Sequence, residues 1–407
     1  MKRIKLSLFI SFIVSLTYMA CNDTELGPLV NDGIAPAPVT NVTFKAMPGG
    51  VELKYDLPAD KDLLYVKAEY SIGEGRTLEE KSSKYVDTLV VAGFSEIKEY
   101  EVKLYAVDEG ENVSEPTVIK VTPDAAPVNT IMEDLEFFAD FGGVTVKWEN
   151  PTEAEVAIII SAVDSLGEMK DMETFYSNKL VDKFTLRGQK NVPNEFSVRV
   201  RDKWENFSAV STQELTPLLE TKLDKGLFQF HKLLYDCQPD RWGQAVENMW
   251  NDIISNNNYS ATDFPDKDPY CHMPNHFTID LGDRYQLNRW RMNPLTNGAA
   301  NPNLIELWGI DTDDIEAANT TVINTDENWE ENMIEHGWIK LSHSDFRNND
   351  PAVFHQERAK VRDIDVDDAP NKPAVRYVRV RVMETWAKHP YIWHMTELTF
   401  WGAPAAE

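Results

Sequence analysis

The nearest approach to a metal-binding pair in this chain is His272 and His276, beside Cys271 in the segment CHMPNHF (271–277). Two histidines four residues apart share one face of a helix and can hold zinc there. Here Pro274 stands between them and disrupts the helix that would present both. Loop histidines or a cysteine bridge are the alternatives to zinc at this place. Other signatures of chemistry are absent: no G-x-S-x-G elbow, no H-E-x-x-H helix and no phosphate-cradling glycine loop occurs. The chain has 67 acidic residues, so carboxylate pairs at glycosidase-like spacing arise by chance and carry no weight. Catalytic residues need not be neighbours in sequence, and an enzyme reading rests on that alone. The expectation is a protein that is not an enzyme.

Aromatic side chains in loops give a different kind of chemistry. A sugar ring has apolar C–H faces and a rim of hydroxyls. It is held by exposed aromatic planes with amides, carboxylates or arginine at the edge. The segment ETWAKHPYIWHM (384–395) carries Trp386, His389, Tyr391 and Trp393 without a clear strand period. Three large rings in one loop are costly to leave wet unless they pack or bind. Trp393 and Tyr391 could instead plug the end of a barrel, and Trp386 is expected to be the more exposed. A second candidate is DCQPDRWGQ (236–244), with Asp240, Arg241 and Trp242, and a third is the amide-rich NPLTNGAANPN (293–303). Arg289 and Arg291 flank Trp290 on a strand, so both lie on one face, either solvated or with one reaching the site. The expected ligand-binding set is Trp386, His389, Tyr391, Trp393, Arg241, Trp242 and Arg289. Trp308, Trp338 and Trp401 fall in regular strands and read as structural.

The elements that must position these residues divide the chain. PGGVELKYDLP (48–58) returns as FGGVTVKWENP (141–151), and YEVKLYAVDEGENVSEP (100–116) returns as FSVRVRDKWENFSAVS (196–211), at a spacing of about 93 residues. Val51, Leu53 and Tyr55, then Val102, Leu104 and Ala106, alternate with polar residues in the first copy. Val144, Val146 and Trp148, then Phe196, Val198 and Val200, do so in the second. A period of two places one strand face in a core and the other in water, which predicts two tandem β-sandwiches. An early-strand Tyr or Trp, a late Tyr/Phe-x-Val-x-Val strand and an Asp-x-x-x-Asn-x-Ser run resemble fibronectin type III, or immunoglobulin-like, modules. The last run is Asp108, Asn112 and Ser114, then Asp202, Asn206 and Ser208, read as turn-formers. Beyond residue 218 the texture changes, and nine of eleven tryptophans lie there. Short strands separated by long polar loops predict an all-β jelly roll: 276–282, 287–292, 303–309, 337–341, 375–383 and 395–402.

The N-terminus, MKRIKLSLFISFIVSLTYMAC, is a basic start followed by an apolar run of about fifteen residues, too short to span a bilayer as a helix. It reads as a cleaved export signal, and small Ala20 before Cys21 resembles the lipobox of bacterial lipoproteins. That resemblance implies acylation of Cys21. The sequel to residue 37 is polar and rich in Gly and Pro, as a flexible tether is, and its acidic start resembles the surface-export signal of Bacteroides-type lipoproteins. The expected layout is a signal peptide over 1–20, lipidated Cys21 and tether over 21–37, sandwiches over 38–123 and 124–217, and a jelly roll over 218–407. A net charge of −27 disfavours nucleic acid as a partner. If Cys21 carries lipid, Cys237 and Cys271 remain. An oxidising compartment permits them to pair, and the sequence leaves open whether they do.

Within the last domain, FTIDLG, then a basic-aromatic strand, IELWG, W-I-K-L, RYVRVRV and a closing TELTFWG resemble the discoidin, or coagulation-factor type C, family, over roughly residues 232–403. The resemblance implies a galactose-binding-like jelly roll whose loops at one end bind ligand. Family members often hold a structural Ca²⁺ beside those loops, which implies Asp252 and Glu397 as ligands here. The whole arrangement looks like a Bacteroides-type surface lipoprotein encoded with a glycan-uptake system. The implied function is non-catalytic binding of a polysaccharide at the cell surface, on an outer membrane, with an outer-membrane transporter complex as a potential partner. The alternative is a protein-interaction or adhesion scaffold that does not bind glycan.

Overall fold

The computed structural model describes residues 33–405 except Glu74, Asn349, Pro351 and Ala352. The expected signal peptide, Cys21 and nearly all of the expected tether lie outside the described residues. Among the described residues no helix is long and apolar enough to cross a membrane.

Each copy of the repeat folds as two packed antiparallel sheets. In the first, strands Thr40–Met47, Gly50–Asp56 and Thr88–Ala92 form one sheet, and Arg76–Ser83, Leu63–Gly73, Tyr100–Asp108 and Thr117–Val121 form the other. Val51, Leu53 and Tyr55 meet Val102, Leu104 and Ala106 in the core, as the period of two requires. The second copy repeats the plan with Val181–Leu186, Gly143–Glu149 and Glu136–Asp140 against Met169–Ser177, Val156–Val163, Asn194–Asp202 and Ser211–Leu215. Its core holds Val144, Val146, Trp148, Phe196, Val198 and Val200. A short helix, Pro127–Asp134, precedes it and buries Val128 and Ile131 against that core. Pro127 suits the first turn, where its missing N–H leaves no bond unmade. The Asp-x-x-x-Asn-x-Ser run acts in turns. Asp202 Oδ1 accepts from the Asn206 backbone N–H at 2.9 Å, and Ser208 Oγ accepts from Val200 N–H at 2.9 Å. Asp108, Asn112 and Ser114 repeat this geometry in the first copy.

The last domain is an all-antiparallel sandwich of jelly-roll type. Its main sheet path runs Thr221–Lys222, Glu397–Pro404, Asn275–Asn293, Val375–Thr385, Pro302–Ile310, Ile339–Asp345. The two strands expected at 276–282 and 287–292 are one continuous strand of 19 residues. Its first half pairs with Val375–Thr385 and its second half with Glu397–Pro404, with a register break between Asp280 and Tyr285. A single strand thus turns from one layer into the other. Phe277, Ile279, Trp290, Leu307, Val380, Trp393 and Phe400 fill the space between the layers. A second cluster of Trp308, Trp329, Met333 and Trp338 lies under the helix Trp329–Glu335 on the outer face. That cover explains why Pro302–Ile310 and Val375–Thr385 are buried almost throughout and do not alternate.

Tight joints connect the three bodies. Trp204 of the second sandwich lies on Gly93 of the first, where an added Cβ would come within 3.0 Å of the indole. Asn206 Nδ2 donates to the Gly93 carbonyl at 2.9 Å, and Arg76 donates to the Trp204 carbonyl. At the second joint, Glu220 accepts from Arg289 Nε at 2.9 Å and from Arg289 Nη2 at 3.1 Å. Asn288 and Arg187 also bond Glu220, and Arg187 reaches Asp365 at 2.6 Å. Burial pushes the Glu220 carboxyl up, but the Arg289 and Asn288 bonds outweigh it and hold the group below its ordinary value.

Candidate functional site

The loops 239–244, 259–264, 293–303, 353–358 and 384–396 gather at one end of the jelly roll. Backbone bonds tie them together: the short strands Ser260–Ala261 and His394–Met395 pair, Trp386 N–H donates to Asn301 O at 3.0 Å, and His394 N–H donates to Ala300 O at 3.1 Å. The disulfide Cys237–Cys271, with Cα atoms 4.8 Å apart, anchors the first loop to the segment before the long strand. Asp268 lies near both sulfurs, but with the sulfurs joined to each other this group lacks the thiolates that zinc needs. The histidines beside it serve apart. His276 is wholly buried, with Nδ1 at 2.7 Å from Asp236 Oδ1, while His272 is exposed and contacts the Met273 carbonyl through Nδ1. They form no metal pair.

Among the described residues, Trp242 is the most exposed large hydrophobic ring at this end of the domain. It is 59% exposed. Its backbone sits at φ 60° and ψ 21°, a left-handed conformation that a bulky side chain rarely adopts. One side of the indole lies near-parallel to the His394 ring, with centroids 6.1 Å apart and planes at 24°. The Arg241 guanidinium carbon lies 4.0 Å from the Trp242 centroid and 4.5 Å from that of Phe264, which is itself 39% exposed. Tyr259 sets its edge against both Trp242 and His394. The result is a shelf of rings on rigid backbone, crossed by one cation.

Polar atoms border this shelf. Arg241 Nε approaches Asp263 Oδ1 at 3.5 Å, and Arg241 Nη1 is buried with no hydrogen-bond partner among the described residues. His394 Nδ1 is likewise buried and without a partner there. Burial, and after it the charge of Arg241, pulls the His394 imidazole down to about 4, so the ring is neutral at physiological pH. His389 Nδ1 accepts the backbone N–H groups of Tyr391 at 3.2 Å and Ile392 at 3.0 Å, which places its ring proton on Nε2. Burial and then Arg241 lower its pKa as well. Tyr391 is half-buried between Phe264, His272 and His389. An exposed indole with a guanidinium over part of its ring and two neutral imidazoles nearby can pack its open part on a pyranose and hydrogen-bond the hydroxyls.

The structure corrects three placements read from the sequence. Trp386 is buried, 6% exposed, because Phe354 from the turn of helix Phe354–Glu357 packs edge-on against it at 5.5 Å. Only its rim enters an open cleft of about 750 Å³, lined also by Asn303, Arg347, Glu384 and Lys388. Trp393 is wholly buried. It donates from Nε1 to Asn275 Oδ1 at 2.8 Å and packs on Phe277, so it plugs the end of the sandwich. Arg289 reaches no loop: it lies 3.8 Å over the Trp401 ring and is consumed by Glu220 at the joint. Of the expected residues, the fold brings together Arg241, Trp242, His389 and Tyr391. Sequence reasoning missed Tyr259, Phe264 and His394. The signal available for them was two rings in the loop 259–264 and a histidine directly after the 386–393 run.

The carboxylates implied for Ca²⁺ lie at the base of this loop end. Asp252 N–H donates to Glu397 Oε1 at 3.4 Å, so the two residues are neighbours. The Lys225 ammonium lies between them, bonded to Asp252 Oδ1 at 2.9 Å and to Glu397 Oε1. Lys222 adds a second ammonium at 2.9 Å from Asp252 Oδ1. A Ca²⁺ ion needs six to eight oxygens in its shell. Here the two acidic groups already face two cations, so these residues do not fit the ion.

Three family models match successive parts of the chain, each described as a domain of unknown function: DUF4959 over residues 36–123, DUF5126 over 124–226 and DUF5000 over 250–402. No curated protein matches. Among solved structures the chain is similar to the SusE-like protein BT2857, at 25% identity over 68% of this chain and 99% of that one, with a TM-score of 0.38. It is also similar to the family 32 carbohydrate-binding module of C. perfringens NanJ in complex with galactose, at 11% identity over 45% and 98% of the two chains, with a TM-score of 0.29. The C-terminal domain of a chitobiase from Bacteroides fragilis matches at 12% identity over 46% and 100%, with a TM-score of 0.31.

Proposed function

We propose that this chain is a non-catalytic carbohydrate-binding protein that holds a glycan on the shelf of Trp242, Phe264 and Tyr259. Arg241 and His389 supply the hydrogen bonds, and His394 backs the indole. The observation that carries the reading is Trp242: a large indole kept open to solvent on a strained backbone, with partnerless polar atoms of Arg241 and His394 beside it. Strain of this kind persists where the surroundings enforce it, and such places are often binding sites. The lipobox-like leader supports a tether to the outer membrane through Cys21, with the two sandwiches as a stem that lifts the shelf away from the lipid. A role in a polysaccharide-uptake system, beside an outer-membrane transporter, follows from the same reading.

The test is affinity gel electrophoresis of residues 22–407 through a panel of soluble neutral and acidic polysaccharides. Retardation by at least one polysaccharide, lost in Trp242→Ala, is expected. A chain that migrates freely through every gel, yet co-purifies with a membrane protein, is a scaffold and overturns the glycan reading.

A further inference from the structure

Asp252 and Glu397, the carboxylates that the resemblance implies for a divalent ion, both bond one ammonium, and that ammonium comes from outside the loop. Lys225 begins the 3-10 turn Lys225–Leu227, in the linker that joins the second sandwich to the jelly roll. Its side chain is 5% exposed, and that of Glu397 is 2% exposed. An ammonium has three donors, and two of them are used on Glu397 Oε1 and Asp252 Oδ1. With Lys222 on Asp252, two negative groups face two positive ones, and the site is neutral without any ion. Burial pushes the Glu397 carboxyl up, toward the protonated form, and the Lys225 ammonium opposes that shift.

We propose that Lys225 is the built-in cation of this domain, replacing a bound divalent ion, so that its loop end is ordered without metal. The geometry shows what the ammonium holds. Asp252 has φ 61°, and the turn it starts leads through Asn258 to Tyr259 and the Ser260–Ala261 strand that carries one side of the shelf. Trp250, just before it, is buried on Phe228, the residue that follows the Lys225 turn. Lys225 thus ties the inter-domain linker to the base of the binding loops. Glu397 Oε2 is buried with no partner among the described residues, and Oε1 would keep only the 3.4 Å bond from Asp252 N–H, so removal of Lys225 leaves a carboxylate able to ligate. The replacement leaves a latent metal site that becomes real when the lysine is shortened.

The experiment compares melting temperatures of residues 22–407 in chelator and in excess calcium chloride. The wild type is expected to melt at the same temperature in both. Lys225→Ala is expected to melt roughly 10 °C lower in chelator, as removal of one partner of a buried pair does. Calcium should then recover part of that loss in a concentration-dependent way. Lys225→Met keeps the chain but not the charge, so it should be destabilised and indifferent to calcium. If either single variant fails to fold, Lys225→Met with Glu397→Gln removes both charges and should restore folding. A wild type stabilised by calcium overturns the proposal. So does a Lys225→Ala chain that folds as well as the wild type in chelator, or a charge-free double variant no better than Lys225→Met.

Discussion

Replacing Trp242 with alanine and, separately, with glycine divides binding from backbone strain. A tryptophan side chain offers roughly 250 Å² of surface. With 59% of it exposed, about 150 Å² is open to a ligand. A pyranose that covers half of this removes about 75 Å² from water, which at about 25 cal/mol per Å² is ~2 kcal/mol, or a roughly 30-fold loss of affinity in either variant. Stability behaves differently. Both variants lose the same contacts to Arg241, His394 and Tyr259, so their difference reports the backbone alone. At an ordinary position glycine is the less stable of the two by about 0.5–1 kcal/mol. At φ 60° the sign reverses, because alanine carries a left-handed penalty of roughly 1–2 kcal/mol that glycine escapes. Urea denaturation followed by tryptophan fluorescence measures the order, and calorimetric titration measures the affinity. A glycine variant less stable than the alanine variant refutes the strained placement. An alanine variant that binds as tightly as the wild type refutes the shelf.

Three other outcomes follow from the same structure. Trp386→Ala should lower stability by about 3–5 kcal/mol in urea because it empties a packed site against Phe354, while a Trp386→Phe chain should still be retained by the glycan gel. If loss of the Trp386 ring abolishes retention without changing stability, the ligand sits in the neighbouring cleft and not on the shelf. His276 is wholly buried, and burial, then Arg379, holds its imidazole down to about 4 against 6.5 in the unfolded chain. Above pH 6.5 neither state is protonated; below it the unfolded chain takes up a proton and the folded one does not. Stability should therefore fall by about 2 kcal/mol from pH 7 to pH 5 through this residue alone, and a flat or rising profile across that window contradicts the burial. Glu220→Gln leaves Arg289 and Arg187 without their shared countercharge, so the joint should loosen. Limited proteolysis near 215–226 should accelerate several-fold, and an unchanged rate shows that the joint is held by Phe141 and Leu218 packing instead.

The sandwiches were legible because their information is local. Val51, Leu53 and Tyr55 read as one buried face from their own alternation, and Asp202 and Ser208 read as turn-formers because their side chains bond backbone within eight residues. The short helix at Pro127 has no comparable signature. In the last domain the strands were legible, but the exposure of each tryptophan was not, since it is decided by residues far away in sequence. Trp386 is covered by Phe354, Trp393 by Phe277, and Arg289 is taken by Glu220 from the linker. Trp242 and Trp386 look alike in sequence, each a loop tryptophan near a basic residue, and only long-range packing separates them. The carboxylates Asp252 and Glu397 could be paired from the resemblance, but the lysine between them lies 172 residues from Glu397.

The joint at Gly93 has a consequence for copies of this chain standing side by side. With an indole seated on a residue that has no side chain, and its carbonyl bonded by Asn206, the first two modules cannot swivel freely about their connection. The two modules then move as one stiff segment from the start of the first strand onward. If the shelf binds a polymer as proposed, and copies stand side by side, several tips would meet one chain together and each contact made would raise the effective concentration of the next. Weak grip at any one tip then becomes firm hold by the crowd, and a bulkier residue at position 93 would be felt in that collective hold before it was felt in a single molecule.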